Sequence, residues 1–294
     1  MPPEPRGTTL VLGGGGFLGT HVVAAAGRDV VVAGRERGSS AGFRRLDALV
    51  PGETERVLDS VGPVRVVLCT ALSSLADAEA YPGLARALNV EFPRRVARWC
   101  AKSGARLVHV STDLVFGAKD PPSTGFREED PPAPLSEYGR SKAAGESAVL
   151  EEHPGALVVR LPLLCGESFG RGRGASDSLL AAIARGERPA LFTDEWRTPL
   201  DVANAARALV ELAGTDASGL LHVAGPDRLS RYELGLRVLR SSGIAEEAAR
   251  AAIRPGTLRD AGMEATRPRD VSLDSRRALG LLATPLLSGF ERLR

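Results

Sequence analysis

Tyr138 and Lys142 stand four residues apart in the run Tyr138-Gly139-Arg140-Ser141-Lys142. On a helix that spacing puts both side chains on one face, one turn apart. An ammonium beside a phenol favours the phenolate, and a phenol whose pKa is drawn toward neutrality serves as a general acid or base. Upstream, Ser111-Thr112 offers a hydroxyl that can hold a reacting oxygen against the tyrosine. Together these groups can move a proton to or from a carbonyl oxygen while a hydride moves at its carbon. A Tyr-x-x-x-Lys pattern alone recurs by chance on helix surfaces. Its weight comes from the elements around it.

Thr8 to Leu12 is a short apolar run that reads as a fully buried strand. Gly13-Gly14-Gly15-Gly16-Phe17-Leu18-Gly19 follows, and then a helical stretch from Thr20 to about Ala26. Strand, glycine turn and helix in that order form a dinucleotide-binding opening, with the pyrophosphate on the helix N-terminus. Gly13, Gly16, Phe17, Leu18 and Gly19 are the candidate cofactor residues there, in a G-x-x-G-x-x-G spacing. The second strand, Asp29 to Ala33, leads into Gly34-Arg35-Glu36-Arg37. An acidic residue at that place would suit the ribose of NAD, whereas a guanidinium suits a 2′-phosphate. NADPH is therefore expected over NADH, with Arg35 as the main phosphate ligand and Arg37 in reserve.

The strand–helix alternation continues. Phe43 to Leu46 is a short strand ending at Asp47, which can reach an adenine. Glu53 to Val61 is helical, and Val64 to Cys69 is a buried strand leading into Thr70-Ala71-Leu72, where Ala71 allows close approach to the cofactor. A helix from about Pro82 to Ser103, interrupted near Pro93, carries Asn89, and Arg106 to Ser111 is the next strand. Such units predict a parallel, doubly wound sheet whose ligands bind beyond the carboxyl ends of the strands. Gly13, Arg35, Ala71 and Ser111-Thr112 all follow strands and so converge on one edge.

Gly117 to Glu137 is a long aperiodic segment, expected to act as a lid or pocket wall. Leu157 to Leu161 is another strand; the helix Val202 to Ala213 and a strand at His222 to Ala224 complete the sheet. The expected architecture is α/β: a Rossmann-type doubly wound parallel sheet over residues 1–162, completed by 200–225. A smaller, interleaved C-terminal substrate lobe comprises 163–199 and 226–294. In that lobe Arg171 and Arg173 lie between glycines, where they can clamp a diphosphate. Trp196 can stack on a base or sugar, and Arg197 can meet a phosphate.

The chain has 294 residues, 25% of them charged, and a formal charge of +2 spread without blocks. Nothing in this balance asks for nucleic acid or a membrane. Three cysteines far apart (Cys69, Cys100, Cys165) form no disulfide framework or metal motif, and reduced thiols in the cytoplasm are expected. No metal is expected, and a homodimer is left open. His21, His109, His153 and His222 show no ligand spacing and are read as structural.

At this point the chain resembles the extended short-chain dehydrogenase/reductases. The carrying features are the Gly13/Gly16/Gly19 loop, Ser111-Thr112-Asp113-Leu114-Val115-Phe116-Gly117, and Tyr138 to Lys142 followed by Ala143-Ala144-Gly145-Glu146. Within that superfamily it looks like the dTDP-4-dehydrorhamnose reductase branch, through Phe126 to Asp130, His222-Val223-Ala224-Gly225 and Arg267-Pro268. The resemblance implies a catalytic set of Thr112, Tyr138 and Lys142. Tyr138 would protonate the substrate carbonyl oxygen, Thr112 would hydrogen-bond it, and Lys142 would lower the tyrosine pKa and bind the nicotinamide ribose. It also implies a nucleotide-linked 4-keto-6-deoxy sugar as substrate, an asparagine near the cofactor at Asn89, and a substrate side that includes Asp113. Leu114 and the stretch Leu161-Pro162-Leu163-Leu164 depart from the branch, so the sugar can differ. The rival expectations are an epimerase or dehydratase, a reductase of a non-sugar carbonyl, or a non-catalytic NADP-binding regulatory subunit.

Overall fold

A computed structural model describes residues 7–27, 29–35, 42–168 and 174–288. Arg37, Arg171 and Arg173 lie outside the described residues. The chain divides into two compact units. The first comprises Met1–Thr112, Ser136–Arg160 and Ala206–Leu221; the second comprises Asp113–Leu135, Leu161–Ala205 and His222–Arg294.

The first unit opens with β1 (Thr9–Leu12), α1 (Phe17–Ala26), β2 (Val30–Gly34), β3 (Phe43–Arg45), α2 (Glu53–Val61) and β4 (Arg65–Leu68). It continues through α3 (Leu75–Ala80), α4 (Pro82–Arg86), a π-helical turn (Ala87–Glu91), α5 (Phe92–Ser103), β5 (Arg106–Thr112), α6 (Glu137–Glu152) and β6 (Leu157–Leu161). The second unit holds β7 (Leu164–Cys165), α7 (Ala175–Ala184), β8 (Ala190–Phe192), β9 (Trp196–Arg197) and β10 (Leu200–Asp201). Then α8 (Val202–Ala213) and β11 (Gly219–His222) carry the chain back to the large sheet, before β12 (Leu229–Ser230), α9 (Arg231–Ser241) and α10 (Glu246–Ala252).

The seven strands of that sheet run in the order β11-β6-β5-β4-β1-β2-β3. β1 pairs in parallel with both β2 and β4, Leu12 lying opposite Ala33 on one side and Leu68 on the other. The chain therefore winds outward from β1 in one direction and then in the other, which leaves a crevice beyond the carboxyl ends at the switch between β1 and β4. The apolar runs are explained by burial on both faces: Leu10, Val11, Leu12, Val66, Val67 and Leu68 have no exposed surface. One helical flank is supplied by α5, where Phe92, Val96, Ala97 and Cys100 form the buried stripe and the arginines take the other faces. Gly104, at φ +73°, ends that helix in the left-handed conformation.

Sequence periodicity places a break near Pro93; the break lies one turn earlier. Proline has no N–H to donate to the carbonyl four residues back, and its ring crowds that carbonyl, which belongs to Asn89. The helix responds with the π turn, in which the Phe92 N–H reaches Ala87 O five residues back.

In the second unit Leu179, Leu234, Val238, Leu239, Ala249 and Ile253 belong to a separate apolar core. The segment Asp113–Leu135 belongs to this unit and is pinned there. Phe116 and Phe126 stack at 4.1 Å, and Gly117 bridges to Pro134. The Phe126 N–H donates to Ser272 O and the Asp274 N–H to Phe126 O. Among the described residues no helix is long and apolar enough to cross a membrane, and no cluster of His, Cys, Asp and Glu could hold a metal.

Candidate active site and cofactor cradle

The glycine loop is shaped by what surrounds it. Gly13 has φ +85°, and a Cβ there would lie 2.7 Å from the Thr70 backbone nitrogen. A Cβ at Gly19 would fall 2.1 Å from Gly13 O, so α1 packs on the loop with no room for a side chain. Gly16 is the N-cap of α1 without a side-chain cap, and the first turn has no acidic residue. Phe17 and Leu18 open the helix. The amide donors of this turn thus remain available to an anion. That cradle fits a dinucleotide pyrophosphate. Ala71 is half-buried just past β4, and Arg35 is exposed immediately after β2. Asp47 accepts a hydrogen bond from the Leu49 N–H at 3.0 Å.

α6 carries the tyrosine and the lysine. Ser136 caps it, its hydroxyl accepting from the Gly139 N–H at 3.1 Å, which sets Tyr138 in the first turn. Tyr138 is half-buried; Lys142, one turn on, is 1% exposed. The Lys142 ammonium donates to Val110 O at 2.7 Å and lies 3.4 Å from His109 Nε2. Burial pulls its pKa down to about 8, against the opposing pull of Glu146 and Cys69. Thr112, the last residue of β5, is 7% exposed.

Two expected site residues, Ser111 and Asn89, also hold neighbouring elements together. Ser111, adjacent to Thr112 on the strand and so facing the opposite way, donates its hydroxyl to Glu146 Oε1 at 2.5 Å. Glu146 in turn holds Arg160 through Nε at 2.9 Å and Nη2 at 2.7 Å, with both side chains buried. Ser111 therefore ties β5 to α6 and, through Glu146, to β6. Asn89, fully buried, accepts from the Leu72 N–H at 2.8 Å and donates to Leu72 O at 3.1 Å and Ser141 Oγ at 2.9 Å. Its amide clamps the Thr70–Leu72 loop, which bears Ala71, to α6. Neither Glu146 nor Arg160 was singled out as a site residue from sequence, though Glu146 repeats the four-residue step from Lys142.

In the second unit Asp113 and Arg197 come together. Arg197 Nη2 donates to Glu195 Oε1 at 2.9 Å, and Nη1 lies 3.5 Å from Asp113 Oδ2. Arg267 Nη1 completes the cluster, donating to Glu195 Oε2 at 3.0 Å. Against the cost of burial, these two cations hold the Glu195 carboxyl below its ordinary range, Arg231 adding to their pull. Arg197, only 6% exposed, has both Glu195 and Asp113 as counter-charges within its own unit. The Trp196 ring carries the Arg228 guanidinium 4.1 Å from its centroid. Nearby, a cavity of about 320 Å³ is lined mainly by apolar groups of α7, β8 and α9, with Arg231 as its one cation among the described residues.

Residues 7–288 match the sequence profile of the family described as RmlD substrate binding domain. The dTDP-4-dehydrorhamnose reductase of Mycobacterium tuberculosis (strain CDC 1551 / Oshkosh) is 35% identical over 241 residues, 80% of this chain and 75% of that one. Methionine adenosyltransferase 2 subunit beta from Pongo abelii is 32% identical over 239 residues, 79% of this chain and 69% of that one. Among solved structures, dTDP-4-dehydrorhamnose reductase from Bacillus anthracis str. Ames in complex with NADP superposes with a TM-score of 0.81 at 24% identity. That superposition covers 98% of this chain and 99% of the other, a likeness that bears on the fold.

Proposed function

We propose a function on one established premise: the chain belongs to the RmlD substrate binding domain family. It is an NADPH-dependent oxidoreductase that reduces the keto group of a nucleotide-linked 4-keto-6-deoxy sugar. The observation that carries this reading is the placement of Tyr138 and Lys142 on one turn of α6, with Lys142 anchored to the end of β5 that bears Thr112. Similarity to the mycobacterial reductase over most of both chains supports the same reaction class.

In this reading Tyr138 delivers the proton to the carbonyl oxygen and Thr112 holds that oxygen by a hydrogen bond. Lys142 favours the tyrosine's acid–base work by its charge. The Gly13–Gly19 loop and the open turn of α1 seat the cofactor pyrophosphate. Arg35 discriminates for the 2′-phosphate, and Asp47 and Ala71 line the cofactor side. When bound, the nicotinamide supplies the hydride. Selection of the sugar nucleotide is assigned to the second unit, where Asp113, Trp196 and Arg197 lie.

A second reading, a cofactor-binding regulatory subunit, is favoured by the similarity to methionine adenosyltransferase 2 subunit beta. Turnover separates the two. NADPH oxidation with a dTDP-4-keto-6-deoxyhexose is expected in the wild type, to be faster than with NADH, and to fall by about two orders of magnitude or more in Tyr138→Phe. Cofactor binding by that variant should survive. Tight NADPH binding with no turnover of any ketosugar would select the regulatory reading.

A further inference from the structure

His109 sits on β5 with no exposed surface, between Val108 and Val110. Its Nε2 faces the Lys142 ammonium at 3.4 Å, the long end of hydrogen-bonding range. An ammonium has only donors, so Nε2 must carry the lone pair and the ring proton must sit on Nδ1. Yet Nδ1 is buried, and among the described residues it has no hydrogen-bond partner. A buried donor without an acceptor is rare and costly enough to ask for a reason. Among the described residues Lys142 has two acceptors at this end of the strand, Val110 O and His109 Nε2, against its three N–H groups. The remaining titratable groups around it are Cys69, which follows β4, and Glu146 and Tyr138 on its own helix.

We propose that His109 is a positioning residue for Lys142: a neutral, Nδ1-protonated imidazole that accepts from the ammonium and keeps it charged and aimed in a buried place. Burial and the neighbouring ammonium both hold the imidazole well below its ordinary pKa, so it stays a lone-pair acceptor across the working range. Removing that acceptor leaves the ammonium with one protein acceptor and makes it easier to deprotonate. Sequence spacing gave no hint of this, because the partner lies 33 residues away.

The chain has three lysines, Lys102, Lys119 and Lys142, so carbon-13-labelled lysine gives few enough signals to follow each titration by NMR. Wild-type Lys142 is expected to titrate near 8. His109→Gln places an amide oxygen at the reach of Nε2 and should titrate with the wild type. His109→Asn is one carbon shorter, keeps the polarity but loses the acceptor, and its Lys142 midpoint should fall by about one pH unit. An Asn variant that titrates with the wild type, or a Gln variant that falls as far as the Asn variant, overturns the proposal. A merely structural histidine would lower the melting temperature in both variants and leave the midpoint in place. In the wild type, nitrogen-15 shifts of His109 must report the Nδ1–H tautomer; an Nε2–H tautomer overturns the proposal even if neither variant folds. The activity arm rests on the reductase reading, and there the alkaline limb of turnover should follow the NMR midpoint. A wild type without turnover counts against the reductase, while the titrations still decide the role of His109.

Discussion

Arg160 carries a fixed charge and has no exposed surface, and the Glu146 carboxylate pairs with it at 2.7 Å. Glu146 accepts from it in a forked geometry and also from Ser111, so a single side chain joins α6, β5 and β6. Removing it leaves a guanidinium buried with its main counter-charge gone, a change that costs about 3–5 kcal/mol. Glu146→Leu should therefore lower unfolding stability in urea by that amount, while adding Arg160→Met should recover most of it. A double variant no better than the single would show that the pair matters for some other reason. Substitution of Glu146 also releases the Ser111 hydroxyl. Strand alternation separates Ser111 from Thr112 in the sequence; that Ser111 is held by a carboxylate 35 residues away is not legible there.

At the scale of elements, α6 is held where its own sequence allows it to be held. A Cβ on Gly145 would come within 2.0 Å of the Asn89 carbonyl oxygen, the same carbonyl that Pro93 cannot satisfy. The π turn and α6 thus meet backbone to backbone. Gly145→Ala, ordinarily a gain on a helix, should here lower the melting temperature by several degrees and weaken turnover by displacing Lys142 along with the helix. An unchanged melting temperature would sink that account. The elements that were legible in the sequence are those governed by local pattern: α2 at Glu53–Val61, β6 at Leu157–Leu161 and α8 at Val202–Ala213 all carry the bounds that periodicity suggests. The last strand of the sheet was expected at His222–Ala224 but runs over Gly219–His222, entered through a glycine at φ +78°. The partners of Asn89 were not legible in the sequence, because two of the groups it binds are backbone atoms of Leu72.

For the molecule as a whole, the buried ionisable groups predict how stability varies in alkali. Burial raises the Cys100 and Cys165 thiols from 9.0 to about 12. The unfolded chain loses those protons first, so the stability they contribute is intact below about 9 and is lost as pH climbs toward 12. Lys142 acts in the opposite sense, since its pKa is about 8 in the fold against 10.5 outside it; between those values the unfolded chain holds more protons and stability rises. Above 10.5 only the thiol loss remains. The melting temperature should hold up to about pH 9 and then decline, most steeply beyond 10.5, and replacing Cys100 with alanine should flatten the decline even though it lowers the neutral value. The same burial keeps both thiols protonated near neutrality, so alkylation by iodoacetamide should wait for unfolding. None of this depends on the reaction. It follows from two cores, one in each unit, each enclosing a cysteine.

The π turn at Ala87–Glu91 has a meaning for heredity as well as for geometry. It is a helix with one residue more than its winding needs. A codon lost from that stretch would let the helix relax into regular form with its flanks still in register, and would take away the wide turn itself. Asn89 would leave Leu72 and Ser141, and the carbonyl that rests on Gly145 would swing aside. The number of residues in this one turn is thus a structural quantity in its own right, beside their identities.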